Sequence, residues 1–325
     1  MNIKVLDFTN ESEIKKVEEF INSKRNVDVK QTIQWYELRN EKKYFLYMCH
    51  NKEIILCCNA FLIFDTYVSD ECLYIPRGPV YEERVISLSE CIENIVTFAK
   101  STGIKYLRIN SKIKDVNEIG AKVNYTIISK DDFGNMFESY REASLKVDDI
   151  LPEELLRNFH YKTRYNIRKS LKNNLKTYIT HDEFDCDTFY NLYIQTASRH
   201  MFLPHELQYF RELIKIFGDK VVFCTVAYEN EILAMSINIK ISNTLYYLYG
   251  VSSNNYKNLF PCYNLHWSMI LYAMKNGFEY YNFGGVFSND EDKLNKDYGL
   301  LVFKSRFCYR GFEEYVPDIL IDVGG

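Results

Sequence analysis

The sequence contains no run approaching the roughly 18–20 consecutive apolar residues that a bilayer span requires, and its first residues, MNIKVLDFTNESEIKK, hold no apolar stretch long enough for a signal peptide. A cytoplasmic protein is expected. No C-x-x-C occurs among the nine cysteines, and the adjacent Cys57 and Cys58 could not form an ordinary strain-free bridge, so the set reads as reduced core thiols. The six histidines show neither H-E-x-x-H nor any Cys/His ligand spacing, and no metal is expected. G-x-S-x-G, the Walker A loop and G-x-G-x-x-G are all missing, which leaves serine hydrolase, P-loop and dinucleotide readings without support. The R-x-x-G-x-G/A loop that cradles the pyrophosphate of coenzyme A is missing too; RGPVYEERVISLS (77–89) and SSNNYKNLFPCYN (252–264) stand in its place.

What is present is globular. Apolar residues make up 47% of the 325 positions and charged residues 26%, which excludes a disordered, collagenous or coiled-coil chain and makes two domains the expectation from length. The net charge of −4 means that any binding of nucleic acid or phosphate must come from a local concentration of Lys and Arg.

The pattern repeats along the chain. YFLYMCHNKEIILCCN (44–59) and VVFCTVAYENEILAMS (221–236) each give an apolar strand, a polar turn at Asn51-Lys52 or Glu229-Asn230, and a second strand. An aromatic helix precedes each, TIQWYELRN (32–40) or HELQYFRELIKIF (205–217), and a strand follows, CLYIPRGPV (72–80) or TLYYLYGVS (244–252). Then come helices marked by Leu88, Cys91, Ile92, Ile95 and Ala99 in one half and by Leu265, Met269, Tyr272 and Ala273 in the other, ending at Gly103 and Gly277. Strands KYLRIN (105–110) and YYNFGG (280–285) close the series. The offset stays near about 175 residues throughout, which argues for a tandem of two α/β units, joined near residues 143–152.

One segment is strongly basic. RNFHYKTRYNIRKSLKNNLK (157–176) reads as a helix without a single acid; Arg164, Arg168 and Lys172 share one face at i, i+4 and i+8, while Ile167 and Leu171 lie on another. Such a face suits phosphate or an RNA backbone, and it suits a solvated surface as well.

Five segments, IPRGPV (75–80), KTRYNIRK (162–169), LYGVSSNNYKNLFP (248–261), YYNFGG (280–285) and GLLVFKSRF (299–307), resemble in order and spacing the Fem family (FemABX). These are aminoacyl-tRNA-dependent aminoacyltransferases that add amino acids to peptidoglycan precursors. The resemblance covers nearly the whole chain and implies an α/β (α+β) fold, a tandem pair of GNAT-like (acyl-CoA N-acyltransferase-like) domains with mixed sheets flanked by helices. Domain 1 is expected at 1–146, joined by the tail 316–325, and domain 2 at 147–315. No charged heptad stretch is present, so the compact, FemX-like form without a helical arm is expected.

The resemblance also assigns roles. Lys304 matches the family lysine near the tRNA 3′ end, where a cation would stabilise the oxyanion that forms as an amine attacks the ester. Tyr209 and Tyr249 match aromatic positions lining the precursor cleft, with Trp35 added as a substrate-binding candidate. Lys162, Arg164, Arg168 and Phe303 are candidates for tRNA or phosphate. Glu37 and His205 stand where a Lys and an Arg contact the nucleotide diphosphate, and Asn110 stands where an acid is usual; Lys30, Arg77 and Arg108 offer positive charge nearby. A Glu would repel a diphosphate, so the acceptor is open between a UDP-linked muropeptide, a lipid-linked muropeptide with peripheral membrane contact, a capsule sugar and another amine. The expected partners are aminoacyl-tRNA as co-substrate and the acceptor, with no cofactor. The rival readings are an acyltransferase acting on a non-peptidoglycan amine and a non-catalytic RNA-binding or scaffold relative.

Overall fold

Each polar pair between apolar runs closes a β-hairpin, and each hairpin anchors one half of the chain. The computed structural model describes residues 2–120, 122–128, 139–286 and 297–324. The chain divides into two compact units, Met1–Arg141 with Glu314–Gly325, and Glu142–Glu313.

The first unit begins with β1 (Lys4–Val5) and α1 (Glu11–Ser23), whose first turn is capped by the Asn10 side chain and which buries Val17 and Ile21. Helix α2 (Ile33–Leu38) is capped by Thr32 and buries Ile33, Trp35 and Leu38. Strands β2 (Lys43–His50) and β3 (Glu53–Asp65) turn through Asn51 and Lys52, both at positive φ, the geometry that matches the twist of paired strands. Then follow β4 (Asp70–Pro76), β5 (Val80–Tyr81), α3 (Leu88–Ser101), β6 (Tyr106–Asn110) and β7 (Tyr125–Ile127). The apolar stripe of α3 from Leu88 to Ala99 is its buried face, a Ser87/Glu90 capping box starts it, and Gly103 follows it at φ +76°. The strand Ile319–Asp322 returns to this sheet, whose order is β1-β2-β3-β4-β6, the returning strand, then β7. β4 and β6 pair in parallel from Cys72↔Tyr106 to Pro76↔Asn110.

The second unit takes β8 (Arg141–Lys146), α4 (Pro152–Asn158), α5 (Tyr161–Lys172), β9 (Lys176–Thr180), α6 (Cys186–His200) and α7 (Leu207–Phe217). The hairpin of β10 (Val221–Tyr228) and β11 (Glu231–Ile241) follows, then β12 (Thr244–Ser252), α8 (Pro261–Lys275), β13 (Tyr280–Gly285) and α9 (Tyr298–Ser305). The order, the short strand Glu313–Glu314 and then β8-β13-β12-β11-β10-β9, repeats that of the first sheet, and both hairpins carry a register shift just before the turn, at Met48/Cys49 and at Val226/Ala227. Helix α8 packs Leu265, Met269, Ile270 and Ala273 onto Val222, Cys224 and Ala234 of the sheet, with Ile167 of α5 in the same core.

Two local expectations change. Residues 143–146 at the joint are not linker but part of β8, antiparallel to β13, because Ala143 and Leu145 alternate into the core. The basic segment 157–176 is not one helix: it takes in the end of α4, all of α5 and the first residue of β9, since buried Phe159 separates α4 from α5 and the His160 N–H bonds the Arg306 carbonyl instead of a helical partner. The buried face of α5 is Thr163, Ile167 and Ser170; Leu171, expected beside Ile167, is exposed. Among the described residues, no helix is long and apolar enough to cross a membrane.

Candidate active site

In the second unit β12 and β13 run parallel only from Thr244↔Tyr280 to Tyr246↔Asn282. β12 then follows β11 across a register shift at Ile237/Asn238, while β13 continues beside β8 to Gly285↔Glu142. The strands part at this point. In the first unit the equivalent pair stays together to Pro76↔Asn110, so the two sheets differ where backbone groups would be released for a ligand.

Lys304 lies at this opening. It sits in the last turn of α9, is 6% exposed, and its Nζ donates to the Gly285 carbonyl oxygen at 2.7 Å. Burial pulls its pKa down to about 8, against the upward pull of Cys308, Glu142 and Asp297. Asn282 braces the corner: its Oδ1 accepts from the Gly284 N–H at 2.6 Å and its Nδ2 donates to Glu142 Oε2 at 3.2 Å. Gly284 has φ +83°, where a side chain would be strained, and a Cβ there would stand 3.9 Å from Lys304 Nζ.

The wall behind the lysine is aromatic. The His266 ring lies 4.5 Å from that of Tyr247, 4.9 Å from Phe283 and 5.3 Å from Phe303. Its Nδ1 stands 3.0 Å from Tyr281 Oη, and burial, helped by Lys304, pushes its pKa down to about 3. The imidazole is therefore neutral near pH 7 and cannot act there as an acid carrying charge. What remains is one desolvated ammonium in an aromatic setting, an arrangement able to stabilise negative charge developing on a nearby oxygen.

A second group gathers around the C-terminal half of β12. His205 stacks on Tyr209 at 4.1 Å, Tyr209 and Tyr249 share a hydroxyl–hydroxyl hydrogen bond of 2.8 Å, and the His205 N–H donates to Tyr193 Oη. On α5, Lys162 and Arg168 are exposed, whereas Arg164 donates to the Arg157 and Phe159 carbonyls and so caps the end of α4. Arg306 faces His160 at the start of α5, which extends the basic surface toward α9.

The candidates of the first unit do not gather at one open site; Arg108 and Asn110 meet, but on buried Asp318. Trp35 is core and Glu37 is exposed on the same helix, near Glu18 and Lys43. Arg77 is buried, donates to the Ser139 carbonyl, and joins Lys30 and Lys112 around buried Asp28. Arg108, expected to offer positive charge, is wholly buried between Asp65 at 2.8 Å and Asp318 at 2.6 Å, so its charge is matched inside the fold. Asn110 is buried on the same Asp318.

Glu142, Asn282, His266 and Arg306 were not among the residues singled out from sequence. Asn282 and Gly284 lay inside YYNFGG, where the positive-φ glycine was the available signal; Glu142 arrives on β8, 140 positions from Asn282, with no local signal at all. Among the described residues, no group of three or more His, Cys, Asp or Glu could hold a metal ion, and all nine cysteines are free.

The FemAB family model matches residues 110–231 and 225–316. Aminoacyltransferase FemB of Staphylococcus epidermidis is 23% identical over 317 residues, covering 76% of this chain and 70% of that protein. The lipid II:glycine glycyltransferase of the same species is 45% identical over 62 residues, 19% of this chain and 15% of that protein. Among solved structures, FemX superposes with a TM-score of 0.81 at 17% identity, covering 98% of this chain and 97% of that one. The fold is a tandem pair of GNAT-like domains.

Proposed function

The chain belongs to the FemAB family, and on that premise we propose that this amide-forming aminoacyltransferase moves an amino acid from aminoacyl-tRNA to an amine of a lipid-linked peptidoglycan precursor. The acceptor nitrogen attacks the ester carbonyl, the C–N bond forms as negative charge collects on oxygen, and the tetrahedral adduct expels the ribose oxygen, which takes up the proton released by the amine. The ester is already activated, so neither a covalent intermediate nor a metal is required. Lys304 supplies the one thing the step needs, a fixed cation in a water-poor corner.

The observation that carries this reading is the buried Lys304 ammonium, held by Gly285 beside the opened β12–β13 edge. Exposed Lys162 and Arg168 on α5, with Arg306 at its start, support RNA contact by charge. The test is incubation with a mixed pool of labelled aminoacyl-tRNAs and both UDP-linked and lipid-linked muropeptides. Label is expected on the lipid-linked acceptor, and Lys304→Met is expected to slow transfer by about 10²–10³-fold. Transfer unaffected by Lys304→Met would remove the oxyanion role, and label on no muropeptide would remove the acceptor class.

A further inference from the structure

The loop between α6 and α7 exposes apolar side chains in succession, where elsewhere among the described residues they are scattered singly. Met201 is 73% exposed, Phe202 38% and Leu203 95%, three in succession, with Ile194 of α6 at 39%. The loop is nevertheless held. Met201 caps α6 in a left-handed conformation, the Phe202 N–H bonds the Ala197 carbonyl, the Phe202 ring packs 5.6 Å from Tyr193, and His205 N–H reaches Tyr193 Oη. The tip is thus a built feature of the unit, presented outward from fixed ends.

Its surroundings are those of an interfacial surface. Arg199 donates to Asn254 Oδ1 and the Ser252 carbonyl, neutral partners that leave its charge uncancelled. His200 feels Arg199, Lys257 and Asp297; Lys257 is exposed, and its neighbour Tyr256 is 42% exposed. Further along, Lys169 lies 5.2 Å over the Phe260 ring. Among the described residues Glu206, Asp297 and Glu231, which accepts from Asn255 and Ser253, are acids on this side, so the charge is mixed and the apolar tip must supply most of any attraction.

We propose that Met201, Phe202 and Leu203 form a membrane-docking tip that dips into the lipid–water interface. A protein partner needs roughly 800 Å² of complementary surface on each side, more than three side chains supply. A fluid bilayer accepts such a tip without complementarity, and the Tyr and Lys beside it are side chains that favour the headgroup level. Two or three apolar side chains give weak, reversible binding, less than that of a single acyl chain at about 0.8 kcal/mol per buried CH2. The use of this contact, bringing the enzyme to a lipid-linked acceptor, rests on the function proposed above; the contact itself does not.

The full chain is mixed with vesicles of phosphatidylcholine and phosphatidylglycerol that contain no precursor, so the surface is tested apart from the reaction. A Leu203→Trp variant reports on the tip; Trp35 and Trp267 are both buried and supply a constant background. Vesicles are expected to shift its emission to the blue, and a Met201→Ser/Leu203→Ser variant is expected to lose at least about tenfold in vesicle co-sedimentation with unchanged melting. Co-sedimentation indifferent to the double substitution, or absent from the unaltered chain, would overturn the proposal. So would emission of the Leu203→Trp variant that responds to total tRNA and not to vesicles, which would give the tip to RNA.

Discussion

Replacing Lys304 by Met should make the protein more stable as it slows the proposed transfer, and the gain should vanish at high pH. The ammonium is buried, and its pKa falls from 10.5 to about 8 because burial disfavours the charged form. At about 1.4 kcal/mol for each pKa unit, keeping it protonated in the fold costs about 3 kcal/mol. The sign follows from proton counting. Below about 8 both folded and unfolded chains hold the proton and the full cost applies. Between about 8 and 10.5 the unfolded chain binds more protons, so the stability of the natural protein rises with pH across that window. Met has similar length and no charge, so Lys304→Met removes the cost while losing the hydrogen bond to Gly285, which offsets it by about 1 kcal/mol. A net gain of about 2 kcal/mol is expected near pH 7, falling by more than half by about pH 9.5. Urea denaturation of both proteins across this range measures it. A substitution that destabilises, or a difference that does not change with pH, would show that Lys304 is not a desolvated cation.

The fold was readable because local pattern and tertiary structure agree over most of the chain. Alternation around Asn51-Lys52 and Glu229-Asn230 gave both hairpins, and the stripes of α3 and α8 with their terminal glycines gave both helices packed on the sheets. What escaped reading was set by distant partners. Nothing near residue 143 announces that β8 pairs with β13, since a strand of six residues recruited from far away looks like any linker. Helical periodicity ran through residues 157–176 without a visible stop, yet Phe159 is drawn into the core against Trp267 and Phe307, and the helix breaks there. Propensity lost to packing.

The candidate site divides along the same line. His205, Tyr209 and Tyr249 derive from two elements whose order was legible, and the hairpin geometry brings them together. Arg108 looked like available charge because its partners, Asp65 and Asp318, are 43 and 210 positions away. The parting of β12 and β13 was unreadable for a different reason: it depends on where parallel pairing stops, and neither TLYYLYGVS nor YYNFGG carries a local break at Tyr246 or Asn282. Duplication gave two sheets of one order, and a difference of pairing length made only the second one open.

Two further perturbations follow from these networks. Asp318→Ala would leave Arg108 paired with Asp65 but its Nε and Nη2 without their acceptor; a loss of about 2–5 kcal/mol in urea denaturation is expected, and a loss below about 1 kcal/mol would mean that water or another group serves these donors. Asn282 tests whether the corner positions Lys304. Asn282→Ala removes the acceptor of the Gly284 N–H and the donor to Glu142, freeing the backbone that carries the Gly285 carbonyl; kcat is expected to fall about tenfold with KM nearly unchanged, the lost bond to Gly284, the one that fixes this backbone, being worth about 1–1.5 kcal/mol. Asn282→Asp keeps an acceptor for Gly284 and adds a negative charge beside Glu142, which favours the protonated form of Lys304. On the proposed oxyanion role, the alkaline limb of activity falls where Lys304 loses its proton and should then move to higher pH than in the natural protein. A merely structural Asn282 would lower activity in both variants and leave that limb in place, and a limb moving to lower pH would contradict the assigned cation.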